Sequence, residues 1–297
     1  MTKVGIEDII NLLRVRQWYK NVVVFAPLLL TRNLFHHELL LKTIFGFIIL
    51  CLVSSANYIF NDLIDYKRDR LHPEKRKRPI ASGRITKLEA ILLMLFLFII
   101  SLMWAYKLDL LFFKLIILFI IITTLYSLWL KNEVILDVVL ISINFVIRAA
   151  SGAFLIRVVV SPWLILGIFF LAVFLVIGKR EADLKVLGKK AYMHKKTLNH
   201  YTPRLTQALM IMSTTMLLII YSLYTFSSDY PQLVLTIPIA TYSLFYYYLL
   251  VENKSEIARR SELVFKEPRM LISMLLWLVI VFVLIYYNIK IPFLKVV

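Results

Sequence analysis

The sequence predicts an all-α membrane protein with about nine transmembrane helices packed into a single bundle. Three observations lead to this fold class. First, 61% of the 297 residues are hydrophobic and 18% are charged, against about 45–50% and about 25% in an ordinary soluble domain. Second, the apolar residues form runs of about 18–24, long enough to cross a bilayer. Third, the cationic residues between these runs alternate in density along the chain.

The apolar runs define nine predicted spans within one integral-membrane domain, residues 1–297. The first run is short for a span and begins beside Arg14, Arg16 and Lys20. The spans are expected at 19–34, 39–60, 88–106, 110–130, 134–157, 161–178, 205–226, 232–251 and 270–289.

The Lys and Arg residues predict the orientation of these spans. With the N-terminus inside, cytoplasmic segments contain 27 of them and outside segments contain seven, while Arg148 lies within the fifth span. Such an excess is typical of the positive-inside rule. We therefore expect a multi-pass protein of the cytoplasmic (inner) membrane with its C-terminus outside. The net charge of +17 then indicates membrane lipid and anionic substrates as partners, and no nucleic acid.

The strongest chemical signal is an acidic array at the cytoplasmic end of the second predicted span. Asp62, Asp65 and Asp69 are three and four residues apart, so a helix places all three carboxylates on one face. Asn57 and Asn61 continue nearly the same stripe. Carboxylates this close repel unless a cation joins them, and ligand sets made only of oxygen suit Mg²⁺. We predict that Asn61, Asp62, Asp65 and Asp69 hold Mg²⁺, and that Asn57 and Asn61 contact the substrate.

A cationic cluster follows the acidic array. His72-Pro73 ends the helix, and Lys75, Arg76 and Arg78 come soon after. A metal-bound diphosphate requires both features, with metal on one side and guanidinium or ammonium groups on the other. Lys75, Arg76 and Arg78 are therefore the expected diphosphate contacts. The alternative is a solvated loop that obeys the positive-inside rule.

The array Asn61-Asp62-x-x-Asp65-x-x-x-Asp69 resembles the first aspartate-rich motif of the UbiA superfamily of membrane prenyltransferases. Three further stretches are similar to its decaprenyl-phosphate phosphoribosyltransferase branch, and the resemblance covers nearly the whole chain. They are His72-Pro73-x-Lys75-x-x-Arg78-Pro79, Arg16-Gln17-Trp18-x-Lys20-Asn21 and Phe145-Val146-x-Arg148-Ala149. The resemblance implies a UbiA-like bundle with a cytoplasmic-facing active-site cavity. It also implies Mg²⁺-dependent transfer of phosphoribose from phosphoribosyl diphosphate (PRPP) to a polyprenyl phosphate, and it favours Lys20 as a substrate contact.

After the sixth span the superfamily usually carries a second motif, Asp-x-x-x-Asp. This chain has Lys179 at the first acidic position, followed by Arg180, and only Asp183 matches the second. The change disfavours a second metal and favours a bare phosphate, bound by Lys179 and Arg180. Asp183 is expected to be catalytic by stabilising positive charge on the sugar. The alternative is a stop-transfer cluster with Glu181 solvated. Further candidate phosphate contacts are Lys189, Lys190, Lys195, Lys196 and Arg204.

The fifth span carries a polar stripe of Asp137, Asn144, Arg148 and Ser151. Offsets of 7, 11 and 14 residues place them within about 40° of one direction, at about 100° per residue. A charged residue within a span usually faces the bundle interior and a functional site. Arg148 is therefore a candidate substrate contact, and stabilisation between helices is the alternative.

Tyr126 and Lys131, at the cytoplasmic end of the fourth span, are candidates to border the same cavity and contact the substrate. For Tyr126 an interfacial aromatic belt is the favoured interpretation. The same interpretation applies to Tyr246, Tyr247, Tyr248, Tyr286 and Tyr287.

Two other functions are consistent with the sequence. A conventional UbiA-type prenyltransferase would move an isoprenyl group from its diphosphate to an aromatic or other small acceptor, but the missing second aspartate disfavours it. A lipid transporter would use the polar stripe as a pathway, but the chain lacks a matched pair of interrupted helices. The sequence is also compatible with a homo-oligomer, because lipid-facing and partner-facing apolar surfaces have similar compositions.

Overall fold

The computed structural model describes residues 5–72, 74–188, 196–287 and 289. Within these residues the chain is helical and contains no strand. Eight helices in this part are long and apolar enough to cross a membrane. The chain divides into two compact units, Met1–Val159 and Val160–Val297. The predicted all-α, multi-pass membrane fold is confirmed.

Unit 1 contains four membrane-length helices preceded by shorter elements. Thr86 and Glu89 form a capping box at the start of the second of these helices. The Asp109 carboxylate accepts hydrogen bonds from two backbone N–H groups at the start of the third, satisfying donors that a helix leaves free. The elements are α1 (Ile6–Leu13), a 3-10 helix (Val15–Phe25), α2 (Ala26–Leu30), α3 (His37–Arg70), α4 (Lys87–Leu108), α5 (Leu110–Leu128) and α6 (Leu136–Leu155), with 3-10 turns at Lys75–Lys77 and Leu130–Asn132.

The core of unit 1 lies where α3, α5, α6 and the 3-10 helix meet. Buried Leu50, Phe112, Phe119 and Leu155 pack there with Val24. Close approach requires a glycine on α6, because a Cβ added at Gly152 would lie 2.0 Å from the Val24 carbonyl oxygen. The 3-10 helix is therefore held tightly against α6.

The first predicted span differs from the prediction, because residues 19–34 form part of the 3-10 helix and α2 instead of one continuous helix. Trp18 Nε1 donates to Ser55 Oγ at 3.0 Å, and Asn21 Nδ2 donates to Cys51 Sγ at 3.3 Å. As residue numbers rise along the 3-10 helix, the numbers of their partners on α3 fall, so the 3-10 helix and α3 run antiparallel. A 3-10 helix rises about 2.0 Å per residue instead of about 1.5 Å. A short segment thus covers much of the length of α3.

Unit 2 is built around α7, which packs most extensively against the next helix. Proline occupies the first turn of four of its α-helices, where its missing N–H costs nothing. The elements are α7 (Pro162–Leu187), α8 (Pro203–Ser227), α9 (Ile237–Glu252), α10 (Glu256–Arg259) and α11 (Pro268–Tyr286), with 3-10 helices at Lys196–His200, Pro231–Thr236 and Ser261–Lys266.

Tyr247 corrects one prediction for unit 2. The aromatic-belt interpretation is wrong for this residue, which is 1% exposed. Its ring lies 5.1 Å from the Phe174 ring, and a Cβ at Gly178 would fall 2.8 Å from it. The glycine on α7 makes room for the tyrosine of α9, so Tyr247 packs between these two helices.

Candidate active site

The acidic array lies on the C-terminal turns of α3. Asp62 and Asp69 are each 2% exposed, and the Asp65 side chain is 20% exposed. Removing carboxylates from water costs several kcal/mol each unless partners compensate them. The array therefore depends on nearby cations.

Each carboxylate of the array pairs with a cation from elsewhere in unit 1. Arg78 Nη1 donates to Asp62 at 2.9 Å and to Asp69 at 2.7 Å, so one guanidinium bridges two acids. Lys131 Nζ donates to Asp65 at 2.6 Å. The structure thus brings together five of the predicted site residues, with Lys131 joining the acidic array itself.

Arg14 is a member of this cluster that sequence reasoning missed. Its Nη2 donates to Asp62 at 2.5 Å, and its guanidinium lies 4.7 Å from the Tyr58 ring centroid. Arg14 joins α1 to the 3-10 helix in a left-handed conformation, φ 49° and ψ 46°. The only sequence signal was its position two residues before the motif that starts at Arg16.

The basic segment after α3 is ordered by its own backbone contacts. His72 Nδ1 accepts hydrogen bonds from the N–H groups of Glu74 and Lys75 at 3.1 and 3.2 Å. Burial, followed by repulsion from Arg78, holds the pKa of Lys75 below its usual value. Arg76 is exposed. The turn therefore presents a partly buried cation, Lys75, near the acids and a solvated cation, Arg76, while Pro73 lies outside the described residues.

The polar stripe of α6 is buried, as predicted. Asp137 and Ser151 are 0% exposed, Asn144 is 6% exposed and Arg148 is 7% exposed. Arg148 Nε donates to Asn21 Oδ1 at 2.8 Å, and its Nη1 donates to the Asn144 carbonyl at 3.2 Å. The stripe joins α6 to the 3-10 helix, and Arg148 is placed deep within unit 1.

The other predicted residues of unit 1 lie along the same elements. Lys20 is half-buried, with its ammonium 5.9 Å from the Tyr19 ring. Asn57 is 8% exposed, and neither atom of its amide has a hydrogen-bond partner among the described residues. Asn61 and Tyr126 are half-buried.

The charged motif of unit 2 forms separate ion pairs. On α7, Lys179 is exposed and Arg180 is 7% exposed. Asp183 accepts a hydrogen bond from Arg259 Nε at 3.1 Å, while Arg259 Nη1 donates to Glu256 at 2.8 Å. Arg259 was not anticipated, since 76 residues separate it from Asp183.

Glu181 is not solvated. It is 1% exposed, accepts a hydrogen bond from Thr206 and lies 3.0 Å from Lys185. The expectation failed because α7 turns this residue toward α8. Lys189, Lys190 and Lys195 lie outside the described residues.

The UbiA prenyltransferase family model matches residues 22–279 of the chain. The chain belongs to the UbiA prenyltransferase family. It is 31% identical to the decaprenyl-phosphate phosphoribosyltransferase of Mycolicibacterium smegmatis over 75% of this chain and 72% of the relative. The protein of that name from Mycobacterium tuberculosis is 30% identical over 75% of this chain and 76% of its own.

Solved structures show the same fold. A UbiA homologue from Archaeoglobus fulgidus bound to GPP and Mg²⁺ gives a TM-score of 0.72 at 19% identity, covering 94% of this chain and 99% of the homologue. The same homologue bound to DMAPP and Mg²⁺ gives 0.70 at 20% identity. The predicted family is confirmed, and the protein is a transferase enzyme.

The acidic array of this UbiA family member has donors suited to Mg²⁺. Among the described residues, no group of three or more Asp, Glu, His or Cys side chains lies close enough to hold one metal ion. Mg²⁺ commonly uses one or two carboxylates, with water and substrate phosphates completing its shell. The oxygen donors therefore fit a substrate-borne ion, which would replace Arg78 or Lys131 as the partner of a carboxylate.

Proposed function

We propose that this UbiA family member transfers 5-phosphoribosyl from PRPP to a polyprenyl phosphate of the decaprenyl type and releases diphosphate. The observation that carries the proposal is the cluster in which Asp62, Asp65 and Asp69 alternate with Arg78 and Lys131 at 2.6–2.9 Å. A metal-bound diphosphate likewise combines positive charge, on the metal, with negative charge, on the phosphates. Its arrival exchanges one set of ion pairs for another and leaves few charges unpaired.

The residues of unit 1 bind and orient the diphosphate end of the donor. One or two of Asp62, Asp65 and Asp69, with Asn61, would hold Mg²⁺, whose positive charge would stabilise the leaving group. Lys75, Arg76 and Arg78 neutralise the diphosphate as the C1–O bond breaks and the electron pair leaves with it. Catalysis then rests on positioning and charge.

The acceptor supplies the new bond without a general base. A polyprenyl phosphate oxygen is already anionic, and it forms the new bond to C1 of the ribose. Lys179 and Arg180 hold this phosphate, in the motif where a lysine replaces the usual acid. Asp183, positioned by Arg259 at 3.1 Å, favours the positive charge that develops on the sugar. Names of similar proteins support this choice of donor and acceptor.

The proposed topology keeps the whole chain, residues 1–297, as one integral domain of the cytoplasmic membrane. The N-terminus and the acidic array lie on the cytoplasmic side, where PRPP is available, and the C-terminus lies outside. Charge between the spans supports this orientation. A Ser82→Cys variant, with the new cysteine in the loop after the array, tests this orientation. Labelling of that cysteine by a membrane-impermeant thiol reagent added to the periplasmic side of intact cells would contradict the topology.

A two-donor assay on the purified protein tests the function. One reaction contains Mg²⁺, ribose-labelled PRPP and polyprenyl phosphate, and the other contains labelled isoprenyl diphosphate and a small aromatic acceptor. We expect label from PRPP in the organic phase, and its loss with EDTA. Transfer of label only in the second reaction identifies a conventional prenyltransferase. Absence of label transfer in both reactions overturns the proposal.

A further inference from the structure

Arg148 is a buried cation without an acidic partner among the described residues of unit 1. It is 7% exposed, and its guanidinium lies 4.7 Å and 5.1 Å from the rings of Phe119 and Phe145. Its described hydrogen bonds go to neutral oxygens of Asn21 and Asn144. No carboxylate among the described residues forms an ion pair with it. A charge within a span is costly and usually serves a ligand.

The surroundings of Tyr58 add to this positive charge. The Arg14 guanidinium lies 4.7 Å from its ring centroid, and Lys20 precedes Asn21, the hydrogen-bond partner of Arg148, on the 3-10 helix. Arg14 is neutralised by Asp62 at 2.5 Å, which leaves Lys20 and Arg148 in excess. A partly buried region with two uncompensated cations attracts an anion strongly.

Two amides with unused hydrogen-bonding atoms lie at one level beside this region. Both polar atoms of Asn57 and the Oδ1 of Asn144 are buried without a partner among the described residues. Gly46, in the first half of α3, contacts Leu155 at the end of α6. The ion pair between Asp65 and Lys131 joins the other end of α3 to the turn before α6. The two helices are therefore antiparallel. Asn57 lies eleven residues after Gly46, and Asn144 lies eleven residues before Leu155. The two amides are thus level on facing helices.

We propose that Arg148, Lys20, Asn57 and Asn144 form a sugar-phosphate subsite that binds the phosphate monoester of the donor. The two cations bind the phosphate on C5, and the two amides bond to ribose hydroxyls. This inference rests on the proposed function, because it assigns the second phosphate of the same donor.

The placement along α3 agrees with a sugar that carries phosphate at both ends. Asn57 lies five residues from Asp62, or about 7.5 Å along the helix. Ser54 hydrogen-bonds to Asn21, the partner of Arg148, and lies eight residues from Asp62, or about 12 Å. The diphosphate would occupy the acidic array, the ribose the level of Asn57, and the C5 phosphate the level of Arg148.

The subsite would also select the donor. An isoprenyl diphosphate places hydrocarbon where the ribose and its phosphate would lie, so the buried cations and amides stay unpaired. Sites built to bond polar groups strongly reject analogues that lack them. Selection for phosphoribose then comes from unit 1, independently of the altered motif on α7.

A binding measurement tests the subsite without relying on turnover. Ribose 5-phosphate is titrated into the full-length protein in nanodiscs, for wild type, Arg148→Gln, Arg148→Lys and Ser101→Ala. Ser101 is the matched control, because it is also buried and unpartnered among the described residues but lies on α4. We expect Arg148→Gln to weaken binding roughly 10- to 100-fold, Arg148→Lys to recover part of this loss, and Ser101→Ala to behave as wild type.

Steady-state kinetics then show whether the phosphate bound by Arg148 belongs to the donor or to the polyprenyl phosphate acceptor. The donors are PRPP and ribose 1-diphosphate, which lacks the C5 phosphate. Arg148→Gln should raise KM for PRPP roughly 10- to 100-fold while leaving ribose 1-diphosphate and polyprenyl phosphate unaffected. A raised KM for polyprenyl phosphate alone assigns the pocket to the acceptor and overturns the donor assignment.

Two further outcomes are decisive. Failure of wild type to bind ribose 5-phosphate, or equal losses with both donors in Arg148→Gln, makes Arg148 structural and overturns the subsite. Arg148-dependent binding of ribose 5-phosphate in a protein that transfers no phosphoribose upholds the subsite and rejects only the proposed function.

Discussion

Replacing Arg78 with glutamine removes the guanidinium that Asp62 and Asp69 share. Two charge-assisted hydrogen bonds, at 2.9 and 2.7 Å, are lost from carboxylates that are each 2% exposed. Asp62 keeps Arg14, while Asp69 keeps the electrostatic attraction of Lys75. Breaking a buried pair costs about 3–5 kcal/mol. Because the Arg78 side chain is 25% exposed, water compensates part of this, and we expect a loss of about 3 kcal/mol.

The assay is equilibrium unfolding of the purified protein in mixed micelles without divalent metal. Arg84→Gln is the matched control, because Arg84 pairs with Asp8 at 3.1 Å but is 43% exposed, and we expect a loss below about 1 kcal/mol. Adding Asp69→Asn to Arg78→Gln should restore most of the stability by removing the unpaired charge. Mg²⁺ should stabilise Arg78→Gln more than wild type, since it can replace the lost cation. An Arg78→Gln protein as stable as the control refutes the argument that the buried acids need this guanidinium.

Three further predictions follow from single contacts. Asp65→Ala should abolish turnover while the protein stays folded, and full activity would contradict the metal assignment. Donor affinity should fall as the pH rises through the lowered pKa of Lys75, below the usual 10.5, because an anion favours the charged lysine and its binding takes up a proton. Lys75→Arg should remove this dependence of KM on pH. Gly152→Ala should destabilise the protein by about 3 kcal/mol or more, because its Cβ would lie 2.0 Å from the Val24 carbonyl oxygen. Gly167→Ala is the control and should be tolerated, because its Cβ would meet no atom nearer than 3.9 Å. Equal stability of the two variants would contradict the described packing of α6 against the 3-10 helix.

Much of the membrane architecture followed from local sequence patterns. Runs of apolar residues predicted the eight long helices, and their ends differ from the prediction by a few residues in most cases. The spacing of Asp62, Asp65 and Asp69 predicted one shared face, because helical periodicity is a local property of the backbone. The burial of Asn144 and Arg148 followed in the same way from their spacing on α6. These features need no knowledge of which helices become neighbours.

The sequence by itself thus determined the family, the helices and the faces that carry polar groups. Only the tertiary structure decided which faces meet. It paired Lys131 with Asp65 across 66 residues and Arg14 with Asp62 across 48, buried Tyr247 against Gly178, and laid a 3-10 helix along α3 where one continuous span was expected. The physical reason is that periodicity orients each side chain about its own helix, whereas its partner depends on long-range packing between elements that are distant in the chain.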